Sequence, residues 1–223
     1  MRQILSFVLI FGLTMSAPFT AFAQSGSSDS IPTFNLLPET GLIVGDTVRV
    51  DSRFAEQNDI EVPTPFSFLV PTERLVDAVV EPAPRPGTAF VKVSFVTEQR
   101  GLIEDLQIVP LSLSMEGDRL ENLAQSLGND AFNMAVEGSE QSARAVVRST
   151  KISGYPAVEV LGQYVDSEKG PMYLRIVGIP HPAKPSGVVA VQSVVASRLD
   201  VPTPDAFPLT RGGTALRHFA FLD

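Results

Sequence analysis

The sequence predicts an α+β fold: an antiparallel, mostly meander β-sheet with one main amphipathic helix packed on it. Three observations predict it. Stretches of period-two alternation recur along the chain, the mark of half-buried strands. Tight turns rich in Gly, Pro and Asp separate them, and short turns join antiparallel neighbours. One apolar stripe of helical spacing, Leu120, Leu123, Ala124 and Leu127, interrupts the strands and must be buried on one face of their sheet.

Met1-Arg2, the apolar run Ile4 to Leu13 and the small-x-small site Ala21-Phe22-Ala23 have the layout of a secretory signal peptide. A spanning helix needs about 20 apolar residues; this run is shorter, and Pro18 interrupts the stretch before the cleavage site. The expected protein is therefore periplasmic or secreted, cleaved after Ala23, with no transmembrane segment in the mature chain. No cysteine occurs, which excludes a lipoprotein anchor, a disulfide scaffold, a thiolate metal site and a cysteine nucleophile. Stability must come from a packed core, and a chain of about 200 residues buries roughly 70% of its unfolded surface.

The expected organisation is a signal peptide (1–23), a flexible leader and arm (24–40) and a single α+β domain (41–223), with 41–86 a partly separate N-terminal subdomain. Thr47 to Phe54 alternates as a strand. Pro65 to Pro71 is a second strand, placed near an edge by its bracketing prolines. Glu81 to Gly87 carries three prolines, is expected not to pair in a sheet at all, and reads as a stiff connection. Ala89 to Thr97 and Leu102 to Leu113 form a hairpin about Glu98-Gln99-Arg100-Gly101.

The helix starts at Asp118, where Asp118 and Glu121 have capping-box spacing, and the spacing predicts a stop at Gly128. Asp130 is a candidate cap for a second short helix facing the core through Phe132 and Val136. The rest of the chain reads as a meander: Ala143 to Ile152, with Arg144 and Arg148 sharing a face; Ala157 to Tyr164; Met172 to Ile179; and the β-branched Val188 to Ala196, expected to be central. A helical turn is expected after Pro202-Thr203-Pro204. Ala215 to Phe221 is expected to close the sheet.

The segment Lys151-Ile152-Ser153-Gly154-Tyr155-Pro156-Ala157-Val158-Glu159, preceded by helix and strand and succeeded by alternating strands, resembles the Mog1/PsbP-like α/β/α sandwich proteins over about Ala89 to Phe221. Exported bacterial members of that superfamily often have no assigned activity. The resemblance implies a non-enzymatic accessory or binding role and carries over no site residue.

Chemistry-bearing motifs are sparse. There is no Gly-x-Ser-x-Gly elbow, no Ser-x-x-Lys, no Gly-x-Gly-x-x-Gly and no Gly-Lys-Ser/Thr. His181 lies between two prolines and His218 near the end; both read as structural rather than catalytic. Asp51 to Asp59 lacks the glycine and terminal Glu of a calcium loop. No catalytic residue, metal ligand or cofactor is assigned. The candidate ligand-binding residues are Arg144, Arg148, Tyr173 and Arg175, cationic and aromatic groups on one sheet face that could clasp an anion.

The net charge of −8 argues against nucleic acid and anionic lipid as partners. The charge is uneven, with 7 basic and 19 acidic residues from Gln24 to Gln141, and 9 and 6 from Ser142 onward. The expected function is an exported accessory or protein-binding module with a periplasmic protein partner. The alternative is a small-anion binder using the arginine face. A carboxylate-based hydrolase ranks last, because no acid pair can be placed across a cleft from spacing alone.

Overall fold

The computed structural model describes residues 33–82, 90–114, 117–139 and 141–222. The signal peptide and most of the leader expected from the sequence lie outside these residues. Within them the fold is the α+β architecture expected, with two antiparallel sheets and one main helical segment.

The larger sheet has seven strands in the order β3-β4-β5-β9-β8-β7-β6. They are β3 (Val76–Pro82), β4 (Val91–Thr97), β5 (Leu102–Ser112), β6 (Ser142–Ile152), β7 (Tyr155–Asp166), β8 (Gly170–Pro180) and β9 (Ser186–Val195). The hairpins sit where the turn residues allow. Arg100, Ser153, Gly154 and Gly170 adopt positive φ, and the Asp166 carboxylate accepts the backbone N–H groups of Glu168 and Lys169 at 3.0 and 2.9 Å. The β-branched β9 is the fourth of the seven strands, central as expected.

One face of this sheet carries α2 (Arg119–Ser126), a π-helical turn (Leu127–Ala131) and α3 (Phe132–Ala135), a continuous helical segment. Asp118 caps it, accepting from the N–H groups of Leu120 and Glu121 at 2.9 and 3.2 Å. Leu123, Leu127 and Phe132 are buried against Val158, Val160, Leu174 and Ile176. Each such leucine contributes about 2 kcal/mol of burial. Two sheet glycines permit the close approach: a Cβ at Gly178 would stand 2.8 Å from the Leu123 and Leu127 methyls, and one at Gly162 would stand 2.6 Å from the Phe132 ring.

The other face is closed by a small sheet in the order β1-β2-β10, from β1 (Gly45–Val50), β2 (Phe66–Pro71) and β10 (Ala220–Phe221), together with α4 (Arg211–Arg217). Phe66, Phe68 and Phe219 are fully buried there, with the Phe66 and Phe219 rings stacked at 5.5 Å. The β1–β2 hairpin and the C-terminal strand share one core with the inner face of the large sheet.

Several local expectations are corrected. The strand expected over Thr47 to Phe54 ends at Val50, because the Asp51 carboxylate accepts from the N–H groups of Arg53 and Phe54 and starts α1 (Ser52–Asn58). β2 is the middle strand of its sheet rather than an edge, since its two prolines fall at its margins and leave the interior N–H groups free to pair. Glu81 and Pro82 pair with Lys92 and Val91 on the outer strand β3; the rest of that Pro-rich stretch lies outside the described residues. Gly128 is not a stop. The chain runs on through the π turn, whose wider spiral absorbs the glycine, and turns at Gly138 with φ +79°. Asp130 accordingly lies inside the segment, not at a cap. Ala215 and Arg217 belong to α4, and only Ala220–Phe221 forms a strand, pairing with β2 instead of closing the large sheet.

The start of α4 explains that last difference. Glu104 on β5 is fully buried, and its carboxylate accepts from the N–H groups of Arg211 and Gly212 at 2.8 and 3.1 Å and from Gln192 Nε2 at 3.1 Å. Thr210 Oγ1 accepts from the Gly213 N–H at 3.0 Å. A carboxylate at a helix N-terminus satisfies orphan donors and complements the helix dipole. Arg211, itself 1% exposed, extends its guanidinium between Glu104 (3.5 Å) and Glu73 (2.5 Å), over the Phe34 ring of the arm.

Candidate functional site

The four residues expected to bind a ligand do not form one cluster. Arg144 and Arg148 have the same parity, but the β6–β7 register shifts between Arg144 and Val146. A bulge of this kind adds a residue and reverses which face the side chains take. Arg144 therefore reaches the helical side and donates to the Gly128 carbonyl, while Arg148 lies on the opposite face. Tyr173 shares the inner face with Arg175 and packs at the margin of the larger core, where burial raises its phenol.

Arg148 and Arg175 do come together, through a residue that was not among the candidates. Glu159 sits opposite Arg148 across β6 and β7. Its Oε1 accepts from Arg148 Nε at 2.6 Å and its Oε2 from Arg175 Nε at 2.8 Å. Arg175 is 2% and Glu159 2% exposed, so this pair is a buried ion pair. Desolvation pulls the Arg175 guanidinium below its ordinary value, against the attraction of Glu159. Arg148 also donates to Asp205 Oδ1 at 2.8 Å; Asp205 itself is exposed. A hollow of about 230 Å³ opens over this group, with Lys151 and Arg217 on its wall. Neither Arg144 nor Tyr173 lines it. Glu159 had a signal in the sequence: it is a lone acid inside the apolar run Ala157 to Leu161, and a buried acid needs a cation.

A second feature lies on the helical face. The helical segment packs on β6, β7 and β8, leaving β3, β4 and the first half of β5 partly open on that side. In register across three strands stand Val79, Ser94 and Asp105, flanked by Asp77, Glu81, Lys92 and Gln107. Val79 is 41% exposed, and Lys92, Ser94, Val96, Asp105 and Gln107 keep partial exposure. Three acids face one lysine here, so the strip is acidic around an apolar centre.

Asp105 is the strained group of this strip. Its Oδ1 is sealed from solvent with no hydrogen-bond partner among the described residues, although the residue keeps some exposure. Desolvation raises the carboxyl to about 6; Lys92 and Lys169 oppose the shift, and Glu104 and Asp166 add to it. A native-state value above the ordinary 3.8 means that the folded protein holds this proton more tightly than the unfolded chain. The contribution to stability is complete below about 4 and is lost as pH rises through about 6. Asp105→Asn is therefore expected to stabilise the protein at pH 7.5 by about 1–2 kcal/mol, the full shift being discounted for partial exposure, and to change little at pH 4. Thermal denaturation at both pH values checks this; an equal effect at both would refute the assignment.

The histidines are occupied structurally. His181 Nδ1 accepts from the N–H groups of Ala183 and Lys184 at 3.0 and 3.1 Å, shaping the β8–β9 turn, and its ring packs on Phe221. His218 Nδ1 lies 3.0 Å from the Thr214 carbonyl. No group of three or more His, Cys, Asp or Glu among the described residues is placed to hold a metal, and no described helix is long and apolar enough to cross a membrane.

Comparison with solved structures finds likeness in fold at low identity. The chain is similar to the solution structure of cyanobacterial PsbP from Synechocystis sp. PCC 6803, with 11% identity, 83% of this chain and 96% of that chain covered, and a TM-score of 0.47. It is also similar to the crystal structure of the Saccharomyces cerevisiae Ran-binding protein Mog1p, with 13% identity, 82% and 97% covered, and a TM-score of 0.48. No family model and no curated protein matches the chain.

Proposed function

We propose that the protein is an exported, soluble, non-catalytic accessory module that docks a protein partner on the open half of its large sheet. The observation that carries this is the strip across β3, β4 and β5, an apolar centre at Val79 and Val96 within acidic surroundings. Its charge fits a partner with a basic surface, and complementary charge steers encounter and fixes register. The signal-like N-terminus supports an encounter outside the cytosol. The two most deeply buried carboxylates among the described residues, Glu104 and Glu159, are both committed to N–H groups and guanidiniums, which leaves them no role in acid–base chemistry.

Affinity capture from the envelope fraction of the native cell tests this reading. Wild type is expected to recover one discrete protein in repeated trials. Asp77→Lys with Glu81→Lys, both exposed positions, is expected to lower that recovery by about tenfold or more, since like charges placed in an interface cost several kcal/mol. Recovery that ignores the reversal, or a repeatedly empty result, would refute it.

A further inference from the structure

We propose that the hollow over Arg148 and Arg175 is a carboxylate-binding site, and that Asp205 occupies it as an internal, displaceable ligand. The site lies on the opposite face of the sheet from the docking strip and does not depend on it.

The charge arrangement carries the inference. Two guanidiniums share one buried carboxylate: Glu159 gives one oxygen to Arg148 and the other to Arg175. Arg175 and Glu159 are sealed, so their charges cancel in place. That leaves the charge of Arg148, whose outer nitrogen meets Asp205 and which lines the hollow with Lys151 and Arg217. Against these three stands Asp205 alone. Its side chain is 80% exposed and meets Arg148 through a single nitrogen at 2.8 Å. An ion pair this exposed is weak, because water screens both charges. The inner end of the site is rigid, because Arg148 Nε is held at 2.6 Å by a buried oxygen. The outer end is weakly held by a group of the very chemistry that would replace it.

Charge and size together define the ligand class. Guanidinium pairs with carboxylate through parallel N–H donors. A space of about 230 Å³ holds a short dicarboxylate or one acidic side chain of a polypeptide. Displacement needs no movement of the sheet, only release of the Asp205 side chain at the start of the 3₁₀ helix Pro204–Leu209.

The test is a titration monitored by backbone amide NMR, with succinate as the free carboxylate and an end-blocked triglutamate peptide as the polypeptide source, at constant ionic strength held with chloride. Saturable shifts are expected at Thr150, Lys151 and Ser153. Asp205→Asn, which removes the internal competitor at an exposed position, is expected to tighten binding by about threefold. Arg148→Gln is expected to abolish it, and Lys151→Gln, at the exposed rim, to weaken it by about threefold. Tighter binding of succinate assigns the site to free carboxylates, and tighter binding of the peptide to acidic side chains; either result supports it. Absence of saturation in both wild type and Asp205→Asn overturns the proposal, as does binding that neither the Asp205 nor the Lys151 variant alters. If Arg148→Gln fails to fold, those two exposed variants decide.

Discussion

Glu104→Ala is expected to lower stability by about 4 kcal/mol, which for a chain of this size is a fall of about 10 °C in Tm. The side chain is wholly buried and accepts three hydrogen bonds, two from the first N–H groups of α4 and one from Gln192. Alanine leaves those donors unsatisfied in the core, at about 1–3 kcal/mol each before relaxation. It also leaves Arg211 with Glu73 as its remaining ion-pair partner. Glu73→Ala should cost clearly less, because the Glu73 side chain is 31% exposed and water can take its place. Equilibrium denaturation of the two variants gives the comparison. Equal losses would mean that Glu104 does not anchor α4.

Glu159→Ala is the second large effect, expected at about 3–5 kcal/mol because it strands the Arg175 charge in the core. A rescue separates charge from shape. Replacing both partners, Glu159→Leu with Arg175→Met, restores an apolar pair and is expected to recover stability to within about 1 kcal/mol of wild type. Arg148 lies nearer solvent and can rehydrate in that double variant. A Glu159→Ala variant of near wild-type stability, or a double variant as unstable as the single one, would contradict this account of the triad.

These two carboxylates also mark the limit of what the sequence makes legible. Elements whose cause is local were readable: the Leu120–Leu127 stripe with its Asp118 cap, the turn at Arg100, and the central β9. Elements caused by distant residues were not. Gly212 and Gly213 look like helix breakers in isolation. They start α4 because Glu104, 108 positions before Gly212, accepts the Gly212 N–H, and because a Cβ at Gly213 would stand 1.9 Å from the Phe207 carbonyl oxygen. β3 alternates weakly, since as an outer strand it buries only Val76. The candidate site was half legible for the same kind of reason. Arg148 and Arg175 were visible as cations on strands, but the bulge after Arg144 leaves no signature in composition, and it sent Arg144 to the other face. Glu159 was written in the sequence as a lone acid among apolar neighbours, and the rule that such an acid must find a cation would have found it.

The central claim is that a partner seats on the open half of the large sheet, and photo-cross-linking tests it most directly. A photoreactive side chain at Ser94, in the middle of the strip, is compared with one at Ala183, in the exposed β8–β9 turn, in the native envelope fraction. The account predicts one discrete adduct from position 94, none from position 183, and loss of the first when Asp77 and Glu81 carry lysine. No adduct from position 94, or the same adduct from both positions, would contradict it.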